Sequence, residues 1–518
     1  MTKNKFCFLA ATLLCVLVTT CACGGDKPTP QPEFKRYSSG LSMKSSIIKQ
    51  GSVVTVPYEI LLPADYVSNP ERRYPVVYML HGLGDNESSW NGSWMQGENK
   101  ITYLENHKEL EPMIYVFPRG WHYYYSNFYD GSINYMDMFI QEFIPYIDGT
   151  YRTLADREHR AVVGYSMGGF GAMVLPMKHP EMFSVSVPLS MSFRTDQQYM
   201  TESQEGWNNQ WGMIFGGAGE SGAGRITEYY KQHCPLYQFV PENKDVLSTV
   251  HWFLTCGDNE EQLLVANDAL HQLMMQNGYA HEYRVGDGGH SSSYWRAALD
   301  EALPYIQHYF NGGPTWDYSN VFVSVPTVSY ESDGAFLSKA FTESGATEGT
   351  AIYLCHNGLS QDLVRKMTAV LQGARDSKKF AILPCNLQEK SLMDWIMLYE
   401  NRYKVGGAAP SRCAVAVGEA GREAYTLQSE FNALYFESAT LTDDPANITP
   451  VKGKFYYMGQ NDEGQYYAQI GALYKACRLL YSSKEEVNMF EYRCRNYTDD
   501  AELDLLQGMQ AMVSCMKY

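Results

Sequence analysis

A serine between two glycines is the residue of this chain best suited to chemistry. The stretch Arg160–Ala172 reads RAVVGYSMGGFGA and contains the pattern G-x-S-x-G centred on Ser166. A short apolar run precedes the pattern and suits a buried strand, and residues 169–172 can begin a helix. This pattern between a strand and a helix predicts a sharp turn that exposes the serine oxygen as a nucleophile. The helix N-terminus beneath the turn favours the negative charge that develops during attack.

Apolar runs on both sides of this turn predict the sheet that must position the serine. They alternate with stretches of helical spacing, notably Tyr135–Tyr146 and Tyr294–Phe310. Strands alternating with helices predict a doubly wound, mostly parallel α/β sheet. The runs are Pro75–Leu80, Met113–Phe117, Val185–Leu189, Trp252–Thr255 and Tyr283–Val285.

Length and charge limit the classes of protein to which the chain can belong. Its 518 residues exceed one core of usual size, so two domains are expected. The net charge of −17 argues against binding to nucleic acid or adsorption to an anionic membrane. The 12 cysteines form neither a C-x-x-C pattern nor a cluster with histidine, so no metal site is expected.

The N-terminus has the pattern of an export signal. Lys3 and Lys5 precede the apolar run Phe6–Val18, which is too short to span a membrane. Cys21 and Cys23 follow directly, and a signal that ends at a cysteine resembles that of a bacterial lipoprotein. Val18 lies at the favourable third position before Cys21, which makes Cys21 the predicted lipidation site and Cys23 the alternative. The Pro-rich residues that follow predict an extended tether.

Three stretches together resemble the first carbohydrate esterase family, the acetyl-xylan and feruloyl esterases of the α/β-hydrolase superfamily. The resemblance covers about residues 40–310, and the three stretches fall in the family's order. They are Tyr74–Trp90, which contains HGLGDNESSW, Arg160–Phe183 around the serine, and His281–Leu299, which contains GDGGHSSSYW.

The resemblance implies a catalytic triad in the chain order serine, acid, histidine. Ser166 is then the nucleophile, and His290, in a glycine-rich turn after the last strand, is the base. The family pattern G-x-x-D after strand Trp252–Thr255 places the acid on Glu260, where this chain has glutamate instead of aspartate. That departure leaves Asp258, and also Glu261, as alternatives for the acid.

Two backbone N–H groups are expected to stabilise the oxyanion that forms during ester hydrolysis. Met167, directly after the nucleophile, supplies one. The resemblance implies that Leu83 supplies the other, with His81 a structural residue of the same turn. This chemistry requires no metal and no organic cofactor, and the chain contains no G-x-G-x-x-G or P-loop pattern.

Two segments are candidates for binding the substrate. Trp121, His122 and Tyr123 follow the second strand run at the edge of the sheet where such sheets bind ligands. The insertion Arg194–Val250 contains two tryptophans and a glycine-rich run, which indicates a cap over the site. Simple loop packing is the alternative explanation for both segments.

The second half of the chain repeats the pattern of the first without its reactive residues. Arg412–Ala424 can be laid on Arg160–Ala172 without a gap, and four further strand-like runs match in the same order. The nucleophile position is Gly418, the acid position holds Asp462, and the histidine position holds Asp499. An inactive α/β-hydrolase-like copy is therefore predicted.

These observations predict an exported, lipid-anchored bacterial serine esterase that removes acetyl or feruloyl groups from plant polysaccharide such as xylan. A glycan-binding lipoprotein with a vestigial site and an acyltransferase on the same scaffold are the alternatives. The protein is expected in the cell envelope, at the outer membrane. The predicted segments are a signal peptide (1–20), a tether (21–36), a catalytic domain (37–312) and an inactive repeat domain (315–518).

Overall fold

A computed structural model describes most of the chain after the predicted export signal. The described residues are 35–313, 330–343, 349–372, 378–406, 411–461, 466–481, 489–495, 500–513 and 516. From Arg36 onward they belong to one compact unit. Within these ranges no helix is both long enough and apolar enough to cross a membrane. The predicted signal peptide and lipidation site Cys21 lie outside the described residues.

The first eight strands form a mostly parallel sheet, which confirms the predicted α/β class. Their order is β1-β2-β4-β3-β5-β6-β7-β8, with β1 and β2 antiparallel to their neighbours. Every residue of β3 to β6 is buried, as expected of apolar strands covered on both faces. The strands are β1 Tyr37–Ser45, β2 Val54–Leu61, β3 Val76–Leu80, β4 Ile114–Pro118, β5 Arg160–Tyr165, β6 Val185–Leu189, β7 His251–Gly257 and β8 Glu282–Gly286.

Helices connect these strands and cover the two faces of the sheet. The long ones are α1 Gly97–Asn106, α4 Met167–Lys178, α11 Glu261–Gln276 and α12 Ser292–Phe310. The shorter ones are α2 Tyr135–Met138, α3 Ile144–Thr150, α5 Asp196–Thr201, α6 Gln204–Gly206, α7 Gly212–Phe215, α8 Glu228–His233, α9 Pro235–Gln238 and α10 Lys244–Leu247.

The second half has the strand order of the first in a smaller form. Counted from β15, the order is β15-β14-β13-β12-β10-β11-β9, which matches β8-β7-β6-β5-β3-β4-β2 strand for strand. The strands are β9 Phe336–Leu337, β10 Thr350–His356, β11 Phe380–Asn386, β12 Arg412–Gly418, β13 Ala433–Ala439, β14 Phe455–Asn461 and β15 Phe490–Arg495. The helices are α13 Lys339–Glu343, α14 Gln361–Gln372, α15 Leu392–Tyr403, α16 Gly421–Thr426, α17 Tyr467–Leu480 and α18 Ala501–Val513. This order supports the repeat predicted from the sequence.

The two halves share one 15-stranded sheet, because β8 pairs with β15 in antiparallel fashion. Arg284 lies directly opposite Arg493 in that pairing. The sequence repeat aligns the same two arginines, so the copies meet at equivalent residues, as two subunits of a symmetric dimer would. The division into domains at residues 312–315 stays a prediction, since the sheet runs unbroken from one half to the other.

A carboxylate neutralises the two arginines at this junction. Glu301 accepts hydrogen bonds from Arg284 Nε at 3.0 Å and Arg493 Nη1 at 2.5 Å. Burial alone would raise the pKa of Glu301, but the Arg493 and Arg284 guanidiniums lower it overall. The pair of halves is thus held by a charge network as well as by the strand pairing.

We expect Glu301→Gln to destabilise the whole chain by about 2 kcal/mol, because it removes the carboxylate that two largely buried guanidiniums share, while Arg284 keeps its contact with Glu282. Urea unfolding followed by tryptophan fluorescence measures the change. Glu158→Gln, at a carboxylate that is 67% exposed, is the matched control and should change nothing. Equal midpoints for the two variants would contradict the role assigned to Glu301.

A second stability effect follows from a histidine at the start of β7. The ring of His251 stacks on Tyr309 with ring centroids 3.5 Å apart. Burial first, and then the charges of Arg157 and His308, lower the pKa of His251 to about 4. The native ring therefore stays neutral while the unfolded one takes up a proton near pH 6.5, so its contribution to stability falls as the pH drops between 6.5 and 4.

We expect the wild type to lose stability relative to His251→Phe as the pH falls from 7 to 5. Phenylalanine keeps the stacking and does not titrate. The difference should reach roughly 1 kcal/mol at pH 5, since the ring is partly exposed. Urea midpoints at pH 7, 6 and 5 measure it, and parallel pH dependences would contradict the prediction.

Candidate active site

Ser166 lies on a strained turn between β5 and α4. Its φ of 58° and ψ of −117° are disfavoured for any residue with a side chain. The two glycines of the motif permit the turn: a Cβ on Gly164 would lie 2.1 Å from the Gly168 carbonyl oxygen, and one on Gly168 would lie 2.2 Å from that of Leu80. The side chain of Ser166 is partly exposed at the carboxyl edge of the sheet.

The structure brings together Ser166, His290 and Glu260. Nε2 of His290 lies 2.8 Å from Oγ of Ser166, and Nδ1 lies 2.6 Å from Oε2 of Glu260. The His290 side chain is 41% exposed, whereas that of Glu260 is 1% exposed. Because Nδ1 faces a carboxylate, it carries the proton and donates, which leaves Nε2 as the acceptor facing the serine hydroxyl.

The loop after β7 holds Glu260 through its other oxygen. Oε1 accepts a hydrogen bond from Ser190 Oγ at 2.6 Å and from the Gly257 N–H at 3.0 Å. Trp295 Nε1 in turn donates to Ser190 Oγ at 2.8 Å. Ser190 itself has a φ of 47°, a second strained residue beside the site.

The alternative acid, Asp258, has a different contact. Its Oδ1 accepts a hydrogen bond from the Gly288 N–H at 3.0 Å. The N–H groups of Asp258 and Asn259 donate to the carbonyls of Gly286 and Gly288 at 3.0 Å each. Asp258 therefore ties the acid loop to the histidine loop, while Glu260 faces the imidazole. The side chain of Glu261 lies outside the described part of the structure.

The turn after β3 passes directly against the serine turn. A Cβ on Gly168 would lie 2.8 Å from the His81 carbonyl oxygen as well as against that of Leu80. Within the described ranges, neither the Leu83 N–H nor the Met167 N–H donates to a backbone carbonyl. Met167 is the first residue of α4, so its N–H also points out of a helix N-terminus. The oxyanion role expected for the two groups stays a prediction.

His81 connects this turn to the aromatic segment after β4. Its Nε2 accepts from the Gly120 N–H at 2.8 Å, and its Nδ1 donates to the Gly82 carbonyl at 2.8 Å. Burial lowers the pKa of His81 to about 4. The ring is therefore neutral and engaged at both nitrogens, which fits the structural role expected from the sequence.

The aromatic segment after β4 divides into an accessible and a buried part. Trp121 and Tyr123 are partly exposed, with ring centroids 5.4 Å apart, and His122 is exposed. Tyr124 and Tyr125 are buried. Trp121, Tyr124 and Tyr125 all have positive φ (47°, 49° and 54°), so the loop holds an unusual conformation.

The insertion between β6 and β7 packs on this aromatic segment. The ring of Trp211 lies 4.5 Å from that of Tyr124, and Tyr229 donates to the Asn127 carbonyl at 2.9 Å. Trp207 and Trp211 are fully buried, so they are packing residues of the insertion. The insertion braces the loop that carries Trp121 and Tyr123.

Three residues near the triad were not identified from the sequence. Ser190 and Trp295 hold Glu260, and Trp94 is 42% exposed with its ring centroid 6.4 Å from that of Trp295. The ring of Trp295 also lies 4.9 Å from that of His290. The available signals were weak: Ser190 directly follows a strand run, and Trp295 follows His290 by five residues.

The first half of the chain is similar to a protein family and to several curated proteins. The model described as putative esterase matches residues 55–306. An endo-1,4-beta-xylanase/feruloyl esterase of Xylanibacter ruminicola is 26% identical over 253 residues, 47% of this chain and 28% of that protein. An esterase of Mycobacterium tuberculosis is 28% identical over 249 residues, 45% of this chain and 51% of that protein. The chain thus spans about half or less of the length of these relatives.

Two solved structures also align with the first half of the chain. A ferulic acid esterase is 27% identical with a TM-score of 0.44, over 53% of this chain and 100% of its own. An S-formylglutathione hydrolase of Staphylococcus aureus is 21% identical with a TM-score of 0.41, over 52% of this chain and 99% of its own. The match to the putative esterase model over residues 55–306 confirms the resemblance that the three stretches predicted.

Proposed function

We propose that the first half of the chain hydrolyses carboxylic esters of plant cell-wall polysaccharide and removes acetyl or feruloyl groups. The observation that carries the proposal is the line of hydrogen bonds from Ser166 through His290 to Glu260 on a strained turn. Serine, imidazole and carboxylate in this order are the parts required for acyl transfer through an acyl-enzyme. The proposed substrate class rests on relatives that include a xylanase/feruloyl esterase.

In the proposed reaction, Nε2 of His290 takes the Ser166 proton as Oγ attacks the ester carbonyl. The Glu260 carboxylate stabilises the imidazolium and keeps Nδ1 protonated. His290 then gives the proton to the sugar oxygen as its bond to the acyl carbon breaks. A water molecule, activated by His290 in the same way, attacks the acyl-enzyme and releases the acid and Ser166. No step requires a metal or an organic cofactor.

The N–H groups of Met167 and Leu83 are proposed to bind the oxyanion of the tetrahedral intermediate. Donors fixed in place before the reaction stabilise the charge as it develops, without reorganisation. The sharp turn fixes the position of the Met167 N–H, the first of α4, relative to Ser166. The turn after β3 lies against the serine turn through the Leu80 and His81 carbonyls, and we propose that its Leu83 N–H is the second donor.

Partly exposed aromatic residues favour feruloyl over acetyl as the acyl group. Trp121 and Tyr123 lie on the loop after β4, and Trp94 lies beside Trp295 near His290. Aromatic faces stack well on a planar phenolic ring, whereas an acetyl group needs no such surface. The same faces also fit a sugar ring, so an assay must separate the two substrates.

The test is incubation of the leaderless protein with feruloylated and acetylated arabinoxylan, with Ser166→Ala as the blank. We expect ferulate to be released by the wild type and not by the variant. Release of acetate alone would make the protein an acetyl-xylan esterase and leave the aromatic residues as sugar contacts. Transfer of the acyl group to added xylo-oligosaccharide in place of water would identify an acyltransferase. Release or transfer of neither group would contradict the proposal and favour a glycan-binding lipoprotein.

We also propose that the chain is exported and lipidated at Cys21, as the N-terminal pattern indicates. Metabolic labelling with an alkyne fatty acid in a bacterial host measures the lipid. Cys21→Ala should abolish the label and Cys23→Ala should retain it. The opposite result would move the site to Cys23.

A further inference from the structure

A cavity of about 580 Å³ lies in the second half, at the carboxyl ends of β10, β12, β13 and β14. This volume is within the range of roughly 300–1,000 Å³ that small-molecule sites have. Its lining includes Asn357, Gly418, Glu437, Ser438 and Asp504. In parallel α/β sheets, ligands bind at this edge.

The cavity occupies the position that corresponds to the active site of the first half. Gly418 has a φ of 55°, close to the 58° of Ser166. Ser438 has a φ of 45°, close to the 47° of Ser190. The Thr440 N–H donates to the Gly418 carbonyl at 3.0 Å, as the Ser192 N–H does to that of Ser166. The strained backbone of the site is thus kept where the nucleophile is absent.

The loss of large side chains explains why this position is open. In the first half, Ser190 is covered by the indole of Trp295 and by Glu260. Asp504 stands three residues after the first residue of α18, as Trp295 does in α12. A carboxylate in place of an indole leaves space beside Ser438. Ser190 donates to the triad acid Glu260, whereas the Oγ of Ser438 donates to its neighbour Glu437 at 3.2 Å. Ser438 therefore holds no triad acid.

Buried acceptors give the cavity its polar side. Glu437 is fully buried and accepts from Arg495 Nη1 at 2.9 Å. Asp504 is 7% exposed, and its Oδ2 accepts from Asn461 Nδ2 at 2.8 Å. Oδ1 of Asp504 accepts no hydrogen bond from the described residues. That oxygen is itself inaccessible, so the ligand class follows from the lining as a whole: carboxylates that face a cavity suit a ligand that donates hydrogen bonds.

The remaining lining residues define the chemical class of that ligand. Among the described residues that line the cavity, three are carboxylates, at Glu419, Glu437 and Asp504, and none is Lys, Arg or His. Arg422 and Arg495 pair with these carboxylates from outside that lining, so the cavity presents acceptor oxygens and no cationic donor, which disfavours an anion. Among the described residues no group of three His, Cys, Asp or Glu side chains could hold a metal ion. The rest of the wall is apolar or aromatic, formed by Leu359, Val417, Tyr466, Ala501 and Leu505.

We propose that this cavity binds a neutral saccharide, with sugar hydroxyls donating to Asp504 and the ring faces against the apolar wall. Hydroxyl groups both donate and accept, which suits the carboxylates, Asn357 and Ser438 together. The second half is then a carbohydrate-binding element that has kept the shape of an esterase site and lost its chemistry. This proposal does not rest on the ester hydrolysis proposed for the first half.

The test is calorimetric titration of the full-length leaderless Ser166→Ala chain with xylotetraose, cellotetraose and mannotetraose. We expect at least one of these neutral probes to bind. Tetragalacturonate should bind at least tenfold more weakly, because of the three carboxylates. Absence of binding by all three neutral probes would overturn the proposal. A cationic glucosamine tetrasaccharide is the last probe, and binding of it alone would also overturn the proposal, because it would identify a cation site.

Two variants in the same background locate the binding. Asn357→Trp fills the cavity from its exposed rim, and Asp504→Asn removes the charge that receives the sugar hydroxyl. Each should weaken the bound probe at least tenfold. Asn447→Trp, at an exposed residue outside the cavity lining, is the matched control and should bind as before. If Asp504→Asn fails to fold, Asn357→Trp decides the question.

Hydrolysis of 4-nitrophenyl acetate by Asn357→Trp with Ser166 intact shows whether the first half is undisturbed, and its rate should equal that of the wild type. Unchanged saccharide affinity in Asn357→Trp would place binding elsewhere and overturn the proposal. An inactive wild type that still binds xylotetraose through this cavity would contradict the esterase proposal alone.

Discussion

Ser166→Ala and Ser166→Gly are expected to lose ester hydrolysis equally and to differ in stability. Without the hydroxyl there is no nucleophile, so kcat for a soluble ester should fall by about a thousandfold or more in both. Glycine adopts the φ of 58° and ψ of −117° without strain, whereas alanine does not. We therefore expect Ser166→Gly to be more stable than Ser166→Ala by about 1 kcal/mol.

Hydrolysis of 4-nitrophenyl acetate and urea unfolding measure the two effects. Ser291→Ala is the matched control for activity, because Ser291 is a partly exposed serine next to His290 whose Oγ contacts only Ser293 among the described side chains. It should keep activity within about threefold of the wild type. Equal stability of the alanine and glycine variants would show that the turn stores no strain, and residual hydrolysis above a thousandth would assign the nucleophile elsewhere.

The second half shows the same exchange in the natural chain. Gly418 has nearly the same φ as Ser166, and it stands where the sequence repeat places the nucleophile. The turn at Gly418 presents no hydroxyl group, and glycine adopts its positive φ without strain. The strained serine of the first half is then a cost in stability that accompanies its proposed reaction.

Local patterns made most of the first half predictable. The apolar runs predicted β3 to β8 within a few residues, since strands covered on both faces have little choice of residue type. The serine turn was predictable because its geometry depends on glycines two residues either side. His290 and Glu260 required the resemblance, since nothing in their own neighbourhoods fixes where they point.

Contacts between distant parts of the chain were not predictable. Ser190 and Glu260 are 70 residues apart, and Ser190 and Trp295 are 105 apart. Nothing in the sequence around Ser190 distinguishes a serine that holds the triad acid from a serine in an ordinary loop. The same limit applies to Trp94, whose exposure depends on how α12 packs beside it.

The continuous sheet was missed for a related reason. The sequence predicted two domains, because the chain is long and its pattern begins again after residue 312. The pairing of β8 with β15 joins strands that carry Glu282, Arg284 and Arg493. Such polar strands are typical of an exposed sheet edge, and their burial is made favourable by ion pairs, among them Arg284 with Glu282 and both arginines with Glu301. The contacts with Glu301 are visible only in three dimensions.

The two candidate acids left by the sequence are distinguished by one pair of substitutions. We expect Glu260→Gln to lower kcat by about a thousandfold or more, and Asp258→Asn to change it by less than about tenfold. Asp258 supports the loop through its Oδ1, which asparagine retains. Glu260 accepts three hydrogen bonds, so a neutral amide cannot replace it.

The direction of those three hydrogen bonds explains the expected loss. Oε1 receives the Ser190 hydroxyl and the Gly257 N–H, and Oε2 receives Nδ1 of His290. In Glu260→Gln the amide oxygen is best placed towards the two donors, which turns the amide NH₂ towards the imidazole. Nδ1 must then accept, so the proton moves to Nε2, and Nε2 can no longer take the proton of Ser166.

Steady-state kinetics on 4-nitrophenyl acetate, with circular dichroism to verify folding, separate this explanation from a simple loss of structure. Glu260→Asp retains the charge with a shorter reach and should fall between Glu260→Gln and the wild type. Ser190→Ala removes one donor and leaves the acid ionised, so it should lose about tenfold. If Asp258→Asn proved the more damaging change, the carboxylate that contacts Gly288 would be the residue that orients His290, and the contact between Glu260 and Nδ1 would be incidental to catalysis.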